Sequence, residues 1–271
     1  MTTSILLYAW ANPVSGTVWD HTWVTTYDNR SNDYKTIGKV IAAGLDYWFC
    51  WGDYHPSGST PDHPNGFLGA MTGDLGIARC LCQSNAPSKT HTPTCGTIFV
   101  YGVDGVCHQL ANQVLWATKG LVAGPLTVSN ARGYHISSFF FGTYGNQTAA
   151  WNAKKSSCAP AIPVRMNSDD EFEFHARQVL SGAKGVEKLQ ALLDLRAEAL
   201  AGTKEFGKRS RSNTPPTAEE LNNTYNSFLE RARKLLGPDF KAVFGPEARA
   251  KADIVDPSMM TRGGKGTRKG R

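Results

Sequence analysis

Tyr101-Gly-Val-Asp-Gly-Val-Cys-His-Gln-Leu-Ala-Asn-Gln-Val-Leu-Trp116 is the stretch from which the fold can be read. The apolar run Thr97-Ile-Phe-Val-Tyr101 before it reads as a strand or a strand end. Gly102 and Gly105 turn the chain, and Asp104 can cap a new helix that carries Cys107 in its first turn. Cys107, Leu110, Ala111, Val114 and Leu115 share one face at helical spacing. A thiol in that place sees the positive end of the helix dipole, which favours the nucleophilic thiolate. The plainer alternative is a small, inert core cysteine.

Far upstream, Trp19-Asp-His-Thr-Trp-Val-Thr-Thr-Tyr27 is β-branched and aromatic, and reads as a strand carrying His21. A turn at Asn12–Gly16 pairs it with a first strand, Ser4–Trp10. A helix-start cysteine with a strand histidine is the arrangement in which an imidazole takes the thiol proton and later protonates the leaving group. With histidine first and cysteine later, Val106-Cys-His-Gln-Leu-Ala-Asn112 resembles the circularly permuted papain-like families, such as the lecithin:retinol acyltransferase-like proteins and permuted relatives of the NlpC-type cell-wall peptidases. It departs from them in having no Asn before the cysteine and His108 directly after it. The resemblance covers roughly residues 1–150. It implies an α+β fold, a permuted papain-like antiparallel sheet with a helix-start cysteine, followed here by a helical C-terminal region. It also implies Cys107 as nucleophile, His21 as base and then acid, and a third group that orients the imidazole. Asp46–Tyr54 reads as a third strand, which makes Asp53 the first choice for that group and His55 the second. His135, in the run Gly133–Gly142 that reads as a strand, is the rival base, and His108 points about 100° away from Cys107 on a helix. The NlpC-type relatives imply amide hydrolysis, with peptidoglycan peptide the best single substrate; the acyltransferase-like relatives imply an ester or thioester. Neither implies a cofactor for catalysis.

The chain is 41% hydrophobic and 19% charged, which suits a globular core. Its opening residues show neither a basic n-region nor a long apolar run, so the expectation is a protein made in the cytoplasm without a signal peptide or membrane span. An amidase of that kind suits an antibacterial effector exported by a specialised secretion system. The net charge of +6 is concentrated at one end: residues 261–271 hold five basic side chains and no acid. That tail is the one place where an anionic partner or nucleic acid is expected to bind. All six cysteines lie at or before Cys158 and all seven tryptophans at or before Trp151. The shift divides the chain into a catalytic part, 1–160, a helical region, 161–250, and a disordered basic tail, 251–271.

Residues 55–96 are turn-rich and read as a long insertion beside the site. Within them Cys80, Cys82, His91 and Cys95 form a set that could hold structural zinc, although the spacing matches no common finger. Free thiols are expected in a reducing compartment, and disulfides in an oxidising one. A zinc-stabilised binding module without catalysis is therefore the alternative class. There is no phosphate-binding loop, no His-Glu-x-x-His and no Gly-x-Ser-x-Gly. The last third reads as helices, with capping boxes at Ser168/Glu171 and Thr217/Glu220 and a basic linker at Lys204–Pro216. It is expected to pack on the first part or to dock an immunity or chaperone protein.

Overall fold

The computed structural model describes residues 4–14, 16–28, 30, 47–48, 66–81, 96–118, 125–160, 170–210, 212 and 214–256. The fold is mixed α+β. Four strands, β1 (Ser4–Pro13), β2 (Asp20–Thr25), β3 (Tyr47–Trp48) and β4 (Phe67–Asp74), form one sheet in the order β3-β2-β1-β4. Every pairing is antiparallel. β1 and β2 make the expected hairpin, in register from Tyr8↔Thr25 to Pro13↔Asp20. Side chains alternate across a strand, so Leu7, Ala9 and Ala11 of β1 share a face with Thr22 and Val24, while Trp10 shares the other with His21 and Trp23.

Helix α2 (Cys107–Leu115) packs on β2 and is buried along its whole length. Its polar side chains organise the irregular chain around it. Asn112 donates to the Tyr134 hydroxyl and the Thr143 carbonyl, and its Oδ1 accepts from the Val128 N–H. Gln113 donates to Thr97 Oγ1 and the Tyr144 carbonyl and accepts from the Thr97 N–H. These bonds supply the partners that a strand ladder would have given. The run 97–101, read from sequence as a strand or strand end, and the run 126–129 are therefore irregular, apart from one bridge between Tyr101 and Gly105. Asp104 does not cap the helix. Its Oδ2 accepts from the N–H groups of Phe99 and Val100, and Val106 is the N-cap residue, its N–H satisfied by Gln109 Oε1 at 3.0 Å.

Two further corrections concern the middle of the chain. The turn-rich insertion contains β4 and helix α1 (Leu75–Leu81). The aromatic run expected as a strand is helix α3 (Tyr134–Phe141). Ile136 and Phe139–Phe141 are buried, so the segment is covered all round, and periodicity alone does not separate such a helix from a buried strand. Helix α4 (Thr148–Cys158) is tied to α1 by a Cys80–Cys158 disulfide.

The C-terminal region is helical as expected: α5 (Glu171–Val179), α6 (Ala183–Arg209), α7 (Ala218–Leu236), a 3-10 turn (Gly237–Asp239) and α8 (Phe240–Phe244). Thr217 caps α7 by accepting from the Glu220 N–H. Asp170, accepting from the Glu173 N–H, caps α5; Ser168 lies outside the described residues. The first part of the expected linker, Lys204–Arg209, continues α6 because buried Phe206 gives that turn a core contact. The phenylalanines of α3 share a hydrophobic cluster with Phe172, Leu192, Tyr225, Leu229 and Phe244. Each such buried side chain contributes roughly 1.5–3 kcal/mol, so the helical region packs on the first part through α3.

Residues 251–256 correct the expectation of a tail that is disordered from 251 onward. Val255 is buried, and its N–H and carbonyl both pair with the Asn222 side chain at 2.9 and 2.8 Å. Gly102 makes room for it: a Cβ there would meet Val255 Cγ2 at 2.4 Å, and φ is +75°. Residues 257–271 lie outside the described set.

Candidate active site

Cys107 opens α2, the first turn of which leaves backbone N–H groups without intrahelical partners. Its sulfur faces the carbonyl oxygen of Asp20 at 3.8 Å, at the start of β2. The thiol lines an open cavity of about 70 Å³, together with Val14, Trp19, Asp20, His21, His108 and Ile254. Burial pushes the Cys107 thiol up, and the neighbouring Thr22 opposes this only in part. The helix-start position therefore does not produce a resting thiolate: the dipole's stabilisation is smaller than the desolvation penalty on a buried charge.

His108 follows directly on the helix and is also buried. Its Nε2 lies 3.0 Å from the same Asp20 carbonyl that the sulfur faces, and its Nδ1 lies 2.8 Å from Ser137 Oγ. A carbonyl only accepts, so Nε2 carries the proton and Nδ1 accepts from the Ser137 hydroxyl. Gln109 Nε2 donates to the same hydroxyl oxygen. Burial holds His108 down at about 4, so the ring is neutral near pH 7. Ser137 Oγ is also 2.9 Å from the Tyr134 carbonyl. In the other neutral tautomer, reached when Nε2 gives its proton to water in the open cavity and Nδ1 takes one up, the hydroxyl turns to that carbonyl and accepts from Nδ1, and Nε2 can then take a proton.

The Asp20 carbonyl that joins the two side chains is fixed from behind. The Asp20 carboxylate accepts from Arg132 Nε at 2.7 Å and from the Arg132 N–H at 2.9 Å. Arg132 also accepts from the Asp20 N–H and donates to the Trp19 carbonyl. Sequence reading passed over Asp20, Arg132 and Ser137. The one available signal was an acidic residue at the head of a β-branched and aromatic strand.

His21 lines the cavity as expected, but its ring stacks on Trp23 with centroids 5.6 Å apart. Strand alternation puts that pair on the face of β2 opposite Thr22, and Thr22 is on the sulfur's side. The structure thus brings His21 and Cys107 to the same cavity and places Thr22 against the sulfur. His135, the rival base, lies on α3 and stacks on His175 at 3.9 Å, outside the cavity lining. Asp53 and His55 lie outside the described residues. The four-ligand zinc set loses Cys80, because a disulfide sulfur has no thiolate to give a metal. Cys82, His91 and Cys95 lie outside the described residues. Among the described residues no group of three or more His, Cys, Asp or Glu side chains is placed to hold a metal, and no helix is long and apolar enough to cross a membrane.

Comparison with protein-family models, with curated proteins and with solved structures gave no match.

Proposed function

We propose that the protein is a cysteine-dependent hydrolase of amide bonds, with Cys107 as nucleophile and His108 as the imidazole that handles its proton. The observation that carries this is the shared contact: sulfur and imidazole meet one fixed carbonyl oxygen at the edge of a cavity. A neutral thiol beside a neutral imidazole transfers its proton as the C–S bond forms, not before. In the first step the sulfur adds to the substrate carbonyl carbon while Nε2 accepts the thiol proton and Nδ1–H is donated to Ser137. The tetrahedral intermediate collapses, the C–N bond breaks, and Nε2 returns the proton to the leaving amine. Water then adds to the thioester, losing its proton to Nε2, and the thiol is restored as the acid departs. The backbone N–H groups at the start of α2 are oriented as an oxyanion would need.

A peptide of the cell wall is the substrate that the resemblance to NlpC-type enzymes favours; a thioester or ester, as in the acyltransferase-like proteins, would use the same steps. The Cys80–Cys158 disulfide supports an oxidising place of work and so export from the cytoplasm, as an antibacterial effector requires. The test is incubation of purified peptidoglycan with the wild-type protein and with Cys107→Ala, reading released muropeptides by mass spectrometry. Release that depends on Cys107 is expected. Cleavage that persists in Cys107→Ala would remove the nucleophile from the reading.

A further inference from the structure

We propose that Ile254, on the segment that crosses back from the C-terminal helices, sets the size of the group that can reach Cys107. This rests on Cys107 being the reacting atom, but not on which base serves it. The segment is held at three successive points: the Ala252 N–H donates to Asn226 Oδ1, Trp19 Nε1 donates to the Asp253 carbonyl, and Asn222 pairs with both backbone groups of Val255. Ile254 sits between the last two anchors, is buried, and lines the cavity with Val14, Trp19 and Val106. Its backbone cannot move aside without breaking those bonds, so it is a fixed wall. The cavity is about 70 Å³. An apolar cavity of about 150 Å³ accepts a benzene ring. The space within the walls beside Cys107 is half that, so a short aliphatic group fits inside it and an aromatic ring does not fit whole. The substrate class that follows is an acyl compound with a small aliphatic substituent next to the reacting carbonyl.

The experiment labels Cys107 in the full chain with N-methylmaleimide and N-phenylmaleimide, read site by site by mass spectrometry. Wild type, Ile254→Ala and Ile254→Val are compared, with folding checked by circular dichroism. In wild type the methyl probe should react faster than the phenyl probe by roughly tenfold or more. Ile254→Ala should bring that ratio towards one, and Ile254→Val, which changes the fold least, should move it part of the way. An equal rate for both probes in wild type, a ratio unmoved in the folded variants, or a thiol that neither probe reaches in any of them would overturn the proposal. Loss of the Cys107–His108 pairing is separate. It would show as His108→Asn leaving both rates unchanged, which does not touch their ratio.

Discussion

His108 is neutral in the folded protein because it is buried, and this makes a specific demand on stability in acid. Its folded pKa is about 4, against 6.5 for an ordinary histidine. Below pH 6.5 the unfolded chain takes up a proton that the folded chain refuses. The stability that His108 contributes is therefore fully present above pH 6.5 and is lost as pH falls towards 4. The slope is about 1.4 kcal/mol per pH unit, and the whole loss about 3 kcal/mol. His135, held at about 4 by burial and then by His175, adds a second proton in the same window. Replacing His108 by Asn removes the bonds to Ser137 and Asp20, which should cost roughly 2 kcal/mol at pH 7. The same change removes one of the two titrations. Urea unfolding at pH 7, 5.5 and 4.5 should show His108→Asn clearly weaker at pH 7 and close to wild type at pH 4.5. Parallel curves, with one difference at every pH, would refute the assignment of a buried neutral imidazole.

Other outcomes follow from the supports around the site. Cys80→Ser opens a link between residues 78 apart in sequence, and loop-closure entropy for that length gives a loss of about 4 kcal/mol relative to oxidised wild type, read by denaturant unfolding without reductant, with reduced wild type expected to match the variant. Asn222→Ala removes both bonds to Val255, and faster amide exchange confined first to residues 252–256 is expected. Gly102→Ala should loosen the same segment, because its Cβ would overlap Val255, and exchange that stays at the wild-type rate in either variant would contradict the docking described.

Much of the framework was legible. The hairpin of β1 and β2, the helix beginning at Cys107 and the capped α7 all follow from local signals: a turn cluster, a one-face apolar stripe, and a threonine cap with a glycine stop. Elements whose identity depends on what surrounds them were not legible. The aromatic run of α3 is buried nearly all round, its serines included, so its period is invisible until the C-terminal helices are known to cover it. The stretches before and after α2 look like strands by composition, yet Asn112, Gln113 and Asp104 satisfy their backbone groups instead. The candidate site divides in the same way. Cys107 could be picked out because a helix start and a thiol coincide. His108 was set aside by its angle on an ideal helix, which ignores that the Asp20 carbonyl reaches both neighbours. His21 fits the permuted pattern as a strand histidine and does reach the cavity, while its neighbour Thr22, invisible to that pattern, meets the sulfur. The anchors of residues 252–255 join Trp19 to a carbonyl 234 residues away, a distance across which no sequence pattern carries a signal.

The most direct test is the rate of Cys107 alkylation by a small neutral reagent between pH 6 and 10, resolved by site, in wild type, His108→Asn and His21→Asn. If His108 handles the proton, the rate at neutral pH falls at least roughly tenfold in His108→Asn and stays near wild type in His21→Asn, while all three rise together in the alkaline range where the thiol ionises by itself. A rate that depends on His21 and not on His108 would contradict the pairing proposed here, and a rate indifferent to both would leave Cys107 as a buried core thiol.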